Sequence, residues 1–167
     1  THPTFYSDDF SQYRISRIWN QRDTGTPPNG YNYGNEIIGS TEILNKLNDN
    51  IYIDGEIYEP FGINSHGTHV AGIAAGSGSI LSENFKGVAY NSELVLCTYG
   101  NEAEIADAIE YIFDYASSVG KPAVINMSLG SNIGPHDGTS TMDKKIDEYS
   151  GEGKIIVGSA GNTGDKK

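Results

Sequence analysis

Cysteine is almost missing from this chain of 167 residues, with Cys97 its single instance. One thiol closes no internal disulfide, so a disulfide-stapled scaffold is excluded and the redox compartment is not readable. Its place in the apolar run Leu94-Val95-Leu96-Cys97 marks a buried, inert side chain rather than a nucleophile. Basic residues are scarce as well: 11 Lys and Arg against 22 Asp and Glu give a formal charge of -11. The acids are spread along the chain, and such a field repels a polyanion, so nucleic acid is not expected as a partner. No apolar run approaches the roughly 20 residues of a membrane-spanning helix, and the N-terminus lacks the charged-then-apolar pattern of a secretory signal. There is no Gly-x-x-x-x-Gly-Lys loop, and Gly76-Ser77-Gly78 follows a helical pattern rather than a strand, which argues against a nucleotide-binding α/β domain.

What is present is an alternation of elements. The length suits one domain with one core. From Asn91 onward the chain reads strand, helix, strand, helix, strand: Leu94 to Tyr99, a helix capped by Asn101 with Glu104 three residues on, Ala123 to Ser128, a shorter helix around Met142, Ile146 and Tyr149, and Ile155 to Gly158. Ile105, Ala108, Ile109, Ile112 and Ala116 give the first helix one apolar stripe, and Gly120 and Pro122 end it. The later strands are continuously apolar, as expected where helices cover both faces of a parallel sheet. Right-handed crossovers would then set the strand ends along one edge, where open α/β folds place their sites.

The first sixty residues are rich in Tyr, Asn, Gly and Asp, with a firm turn at Pro27-Pro28-Asn29-Gly30 and one short helix from Glu42 to Leu47. They read as a long connection fastened to the core by Tyr6, Phe10, Tyr13 and Trp19. Beyond it, His66-Gly67-Thr68-His69-Val70-Ala71-Gly72-Ile73-Ala74-Ala75-Gly76 sets a histidine at the mouth of a helix of small residues. Such a helix can pack closely while His66 projects from its first turn as a general base. His69 lies three residues on, but Gly67-Thr68 stands where a zinc protease helix has its glutamate, so a packed or capping histidine is expected.

Three segments in order resemble the subtilisin-like serine proteases, the subtilases: Asn64-Ser65-His66-Gly67-Thr68-His69-Val70-Ala71-Gly72, Val124-Ile125-Asn126-Met127-Ser128-Leu129-Gly130, and Val157-Gly158-Ser159-Ala160-Gly161-Asn162. Lys86-Gly87-Val88-Ala89-Tyr90-Asn91 is similar to the family's link from the histidine helix to the next strand. The resemblance implies a three-layer α/β fold with a mostly parallel sheet, present in part. It implies catalytic roles for His66 as general base and Asn162 as oxyanion donor. Ser128, Leu129 and Gly130 are then the edge that pairs with a peptide substrate, and Ser159, Ala160 and Gly161 line the same groove. The stretches Arg17-Ile18-Trp19-Asn20-Gln21, Pro27 to Gly34 and Ile43 to Leu47 resemble the insert between aspartate and histidine in bacterial subtilases similar to the clostridial spore germination proteases.

Two near-matches are expected to be decoys. Asp23-Thr24-Gly25 copies part of the aspartate motif, but Trp19-Asn20-Gln21-Arg22 before it does not read as a buried strand. Thr1-His2-Pro3-Thr4-Phe5 resembles the family's His-Pro-aromatic stretch just after that motif, which would set the aspartate upstream of Thr1. Gly138-Thr139-Ser140 copies the start of the nucleophile motif, yet it precedes Asn162 and opens a charged helix, where Ser140 with Asp143 makes an N-cap. The chain therefore reads as a single partial catalytic domain, residues 1–60 the insert and 61–167 the stretch from histidine helix to oxyanion asparagine, inactive alone for want of Asp and Ser. The rival reading is a pseudoprotease that binds peptide without cutting it. No cofactor is expected; the family admits calcium, but no dense carboxylate cluster assigns it a site. Self-association of the segment is expected from its open sheet edge. The resemblance favours the extracellular space or cell envelope for the whole protein.

Overall fold

A computed structural model describes residues 3–48, 66–78, 85–130, 134, 135, 137–162 and 164. Thr1 and His2 of the His-Pro stretch, Asn64 and Ser65 before the histidine, and the end of the insert lie outside the described residues. The chain divides into two compact units, Thr1–Thr98 and Tyr99–Lys167.

In the first unit, β1 (Ile15–Asn20) is the central strand of a three-stranded sheet. It runs antiparallel to β2 (Asn35–Ile38) and parallel to β3 (Leu94–Cys97), with Trp19 opposite Glu36 on one side and Cys97 on the other. This corrects the expectation that the residues before Asp23 form no buried strand. Ile15 and Ile18 are buried and Trp19 is 0% exposed. The polar residues that disguise the strand are bonded instead of solvated: Arg17 pairs with Glu36 at 2.7 Å, and Asn20 Oδ1 accepts from Thr98 Oγ1 at 2.8 Å. Phe5, Tyr13, Ile15, Ile18, Ile37 and Ile43 form one core, so the supposed connection supplies most of it. The Pro28 turn closes through Tyr31 N to Pro28 O at 3.1 Å, and α1 (Ser40–Asn48) contributes Ile43.

Helix α2 (His66–Ala75) lies in the same unit. Its C-terminal carbonyls, which a helix leaves unpaired, are taken by a returning segment: Gly87 N donates to Gly76 O at 2.7 Å and Ala89 N to Ala74 O at 2.8 Å. A Cβ on Gly87 would lie 2.6 Å from Gly76 N and 2.8 Å from Gly72 O, so glycine is required there. The close approach expected of the small-residue helix thus falls at Gly76 and Gly87; a Cβ on Gly72 would meet nothing within 4 Å.

The second unit is α3 (Glu102–Ser118), β4 (Ala123–Met127), α4 (Thr141–Tyr149) and β5 (Lys154–Gly158). Asn101 Oδ1 accepts from Glu104 N at 3.1 Å, and Gly120 at φ +66° turns the chain out of α3. β4 and β5 pair in parallel from Ala123 opposite Lys154 to Met127 opposite Gly158. Ile125 on one face packs with Ile109 and Phe113 of α3, joined by Ile146 and Tyr149 of α4. Among the described residues two buried clusters therefore stand where the sequence reading expects one core. On the other face of β4 and β5, Val124 is 66% exposed and Ile155 54%. The expectation of helices on both faces is met on one face among the described residues.

Candidate active site

His66 is the first residue of α2 and is exposed, so its ring stands at the helix mouth as the sequence places it. His69 is exposed too, not packed, because the apolar side of α2 runs through Ala71 and Ala75.

In the second unit, further candidate residues lie on the two loops that leave the C-terminal ends of the parallel strands β4 and β5. Ser159 N donates to Met127 O at 3.1 Å, and Ser159 Oγ donates to Leu129 O. The first bond continues the ladder beyond the strands, and the second clamps one loop to the other. A Cβ built on Gly130 would lie 4.0 Å from both Gly161 Cα and Ser159 Oγ, so the two loops run in contact. Asn126 Nδ2 donates to Ser128 Oγ at 3.1 Å and steadies the start of the first loop. Gly161 adopts φ +81°, a left-handed conformation that turns the chain just before Asn162. Ser128, Leu129, Gly130, Ser159, Ala160 and Gly161 are thus brought together, with the exposed carboxamide residue Asn162 at the end of the second loop. Clefts outside the carboxyl ends of parallel strands are where open α/β sheets hold ligands.

The remaining candidates have other employments. Ser140 Oγ accepts from Asp143 N at 3.1 Å while Asp143 Oδ2 accepts from Ser140 N at 3.3 Å, a reciprocal N-cap of α4. Asp23 accepts from its neighbour Thr24 N at 2.8 Å and from Asn35 Nδ2 at 3.0 Å, which makes it a turn residue. Burial, with Glu36 nearby, pushes the Cys97 thiol up to about 12, so it holds no thiolate near neutrality. Among the described residues no group of His, Cys, Asp and Glu is placed to hold a metal ion, and no helix is long and apolar enough to cross a membrane. Sequence reasoning missed the clamping role of Ser159, read there only as groove lining, and passed over Arg14, whose signal was a lone charge between Tyr13 and Ile15, just before a buried strand.

Residues 22–167 match the subtilase family, peptidase S8, and the chain belongs to that family. It is 34% identical over 119 residues to a thermophilic serine proteinase of Bacillus sp. (strain AK1), covering 68% of this chain and 27% of that protein. Subtilisin DY of Bacillus licheniformis is 35% identical over 115 residues, covering 68% of this chain and 39% of its own length. The solved structure of the Clostridium perfringens CspB protease superposes with a TM-score of 0.72 at 27% identity, covering 98% of this chain and 34% of that one. The architecture is accordingly a partial α/β subtilisin fold. The chain spans between 27% and 39% of the length of these relatives.

Proposed function

We propose that the whole protein is a serine endopeptidase of the subtilisin type, with His66 as general base and Asn162 as oxyanion donor. The observation that carries this reading is the clamped pair of loops, Ser128–Gly130 against Ser159–Asn162, at the carboxyl ends of β4 and β5. In this reading a peptide adds as an extended strand along Ser128-Leu129-Gly130. His66 takes the proton from a serine hydroxyl as that oxygen attacks the scissile carbonyl, then returns it to the leaving amine. The Asn162 side-chain amide donates to the oxygen on which negative charge develops, where a preorganised donor lowers the barrier more than it aids ground-state binding. In the same reading Ser140 is a helix cap and not the nucleophile, and the segment by itself is inactive. Location outside the cytoplasm goes with the same reading.

The test compares the whole protein with the 167-residue chain on an internally quenched peptide and with a fluorophosphonate probe. Turnover and serine labelling by the whole protein, with neither from the chain, is the expected result. Tight peptide binding by the whole protein without turnover or labelling would establish the pseudoprotease in its place, and labelling of Ser140 in the chain would overturn the assignment of roles.

A further inference from the structure

Arg14 is 8% exposed, a charge sealed inside the first unit. Its guanidinium donates to four main-chain carbonyls: Nε to Tyr6 O at 3.0 Å, Nη1 to Ser92 O at 2.9 Å, and Nη2 to Thr4 O at 3.0 Å and Ala75 O at 2.5 Å. These belong to three distant stretches of chain: the N-terminal segment, the approach to β3, and the last residue of α2. The main chain repeats the connection, since Arg14 N donates to Phe5 O at 2.9 Å, Leu94 N to Arg14 O at 2.8 Å, and Ser77 N to Thr4 O at 2.8 Å. A cation at Ala75 also faces the negative end of the α2 dipole.

Burying a charge is costly, and well-packed apolar residues often replace one with no loss of stability. Burial accordingly draws the Arg14 pKa down, against the opposing pull of the Asp8 carboxylate. What an apolar side chain cannot do is fix three carbonyl-bearing segments at defined angles, which the rigid planar fork of arginine does. We propose that Arg14 is a positioning residue for His66: it locks the far end of α2 to the sheet and to the segment holding Thr4 and Tyr6, and so sets where the imidazole at the near end stands. The proposal rests on His66 being the general base. A ten-residue helix is a stiff rod of about 15 Å, so a change of seat at Ala75 is carried to its first turn.

The test uses Arg14→Met and Arg14→Lys with two readouts. In the 167-residue chain, NMR follows the His66 ring resonances and amide exchange from Gly72 to Gly76. In the whole protein, kcat is measured per titrated active site, which removes any effect of a smaller folded fraction. Arg14→Met is expected to shift the His66 resonances and to lower kcat on the order of 10- to 100-fold with KM little changed, since about 1 Å of misplacement can cost that much. Arg14→Lys, with three donors on one ammonium, is expected to recover part of the loss. Unshifted His66 resonances with an unchanged per-site kcat in Arg14→Met overturn the proposal, whatever happens to the melting temperature. If Arg14→Met does not fold, Arg14→Lys is judged by the same two readouts against the unsubstituted protein. A whole protein with no peptidase activity would sink the protease reading, and the His66 resonances would still decide the role of Arg14.

Discussion

Truncating Phe113 to alanine removes the ring on which the second unit closes. Phe113 is 0% exposed, packs with Ile109 and Ile125, stacks on Tyr149 at 6.3 Å, and lies 5.7 Å beneath the Lys154 ammonium. Deleting a fully buried phenylalanine costs about 3–5 kcal/mol, because the lost transfer energy is joined by a cavity that the surroundings only partly fill. A unit of this size holds on the order of 5 kcal/mol in all, so the variant is expected to be at or near its unfolding midpoint in water. With a urea slope of about 2 kcal/mol per molar, the midpoint read by circular dichroism should drop by roughly 1.5–2.5 M. Two neighbours on β4 calibrate the measurement. Ile125, 7% exposed, should cost about 2–5 kcal/mol as alanine. Val124, 66% exposed on the opposite face, should change stability by no more than about 0.5 kcal/mol in the 167-residue chain. A loss below about 1 kcal/mol for Phe113→Ala, or equal losses at Val124 and Ile125, would refute the assignment of the packed face.

Gly87→Ala sets a methyl group against main-chain atoms that cannot rotate aside, so a lower melting temperature and a loss of about 1–3 kcal/mol are expected; an unchanged melting curve would mean that the return over α2 is looser than described. Ser140→Ala should remove about 0.5–2 kcal/mol by opening the α4 cap, read as a lower urea midpoint, whereas a nucleophilic serine would show its loss in turnover instead. Alkali should unfold the chain. Burial first, with Tyr6 acting on Tyr13 and Glu110 on Tyr149, raises both phenols to about 12, and burial raises the Cys97 thiol likewise. All three favour the neutral form in the fold, so their contribution is complete below their unfolded values of about 9 for the thiol and about 10 for the phenols, and is lost as pH climbs toward 12. Urea midpoints that stay flat over that window would contradict this. Asn162→Ala in the whole protein should lower kcat by about 10²- to 10³-fold with KM little altered, a magnitude set by subtilisin and not read from this chain.

Elements from Asn91 onward were legible because each carries its own punctuation. Asn101 with Glu104, Gly120 with Pro122, and Ser140 with Asp143 declare helix ends by local hydrogen bonding, and the structure shows those caps in place. The histidine helix was legible instead from the resemblance of its motif, since glycines by themselves disfavour a helix. β1 was not, because its polar residues find partners far away in sequence: Glu36 for Arg17 and Thr98 for Asn20. Hydrophobic pattern cannot distinguish a polar residue that will be bonded from one that will be wet. Arg14 is hidden for the same cause, since its partners are main-chain carbonyls, which every residue possesses. Of the candidate site, the segments were legible from their resemblance, but the bond by which Ser159 Oγ holds Leu129 O depends on the parallel register of β4 and β5.

The most direct test of the central assignment is kcat of the whole protein carrying His66→Ala, measured beside the unsubstituted protein on one peptide substrate. A base that acts as one unit with its nucleophile should take about 10⁶-fold with it, by the measure of subtilisin. Activity retained within about tenfold, against the 10²-fold or more expected of any general base, would show that the imidazole at the mouth of α2 takes no proton in the reaction.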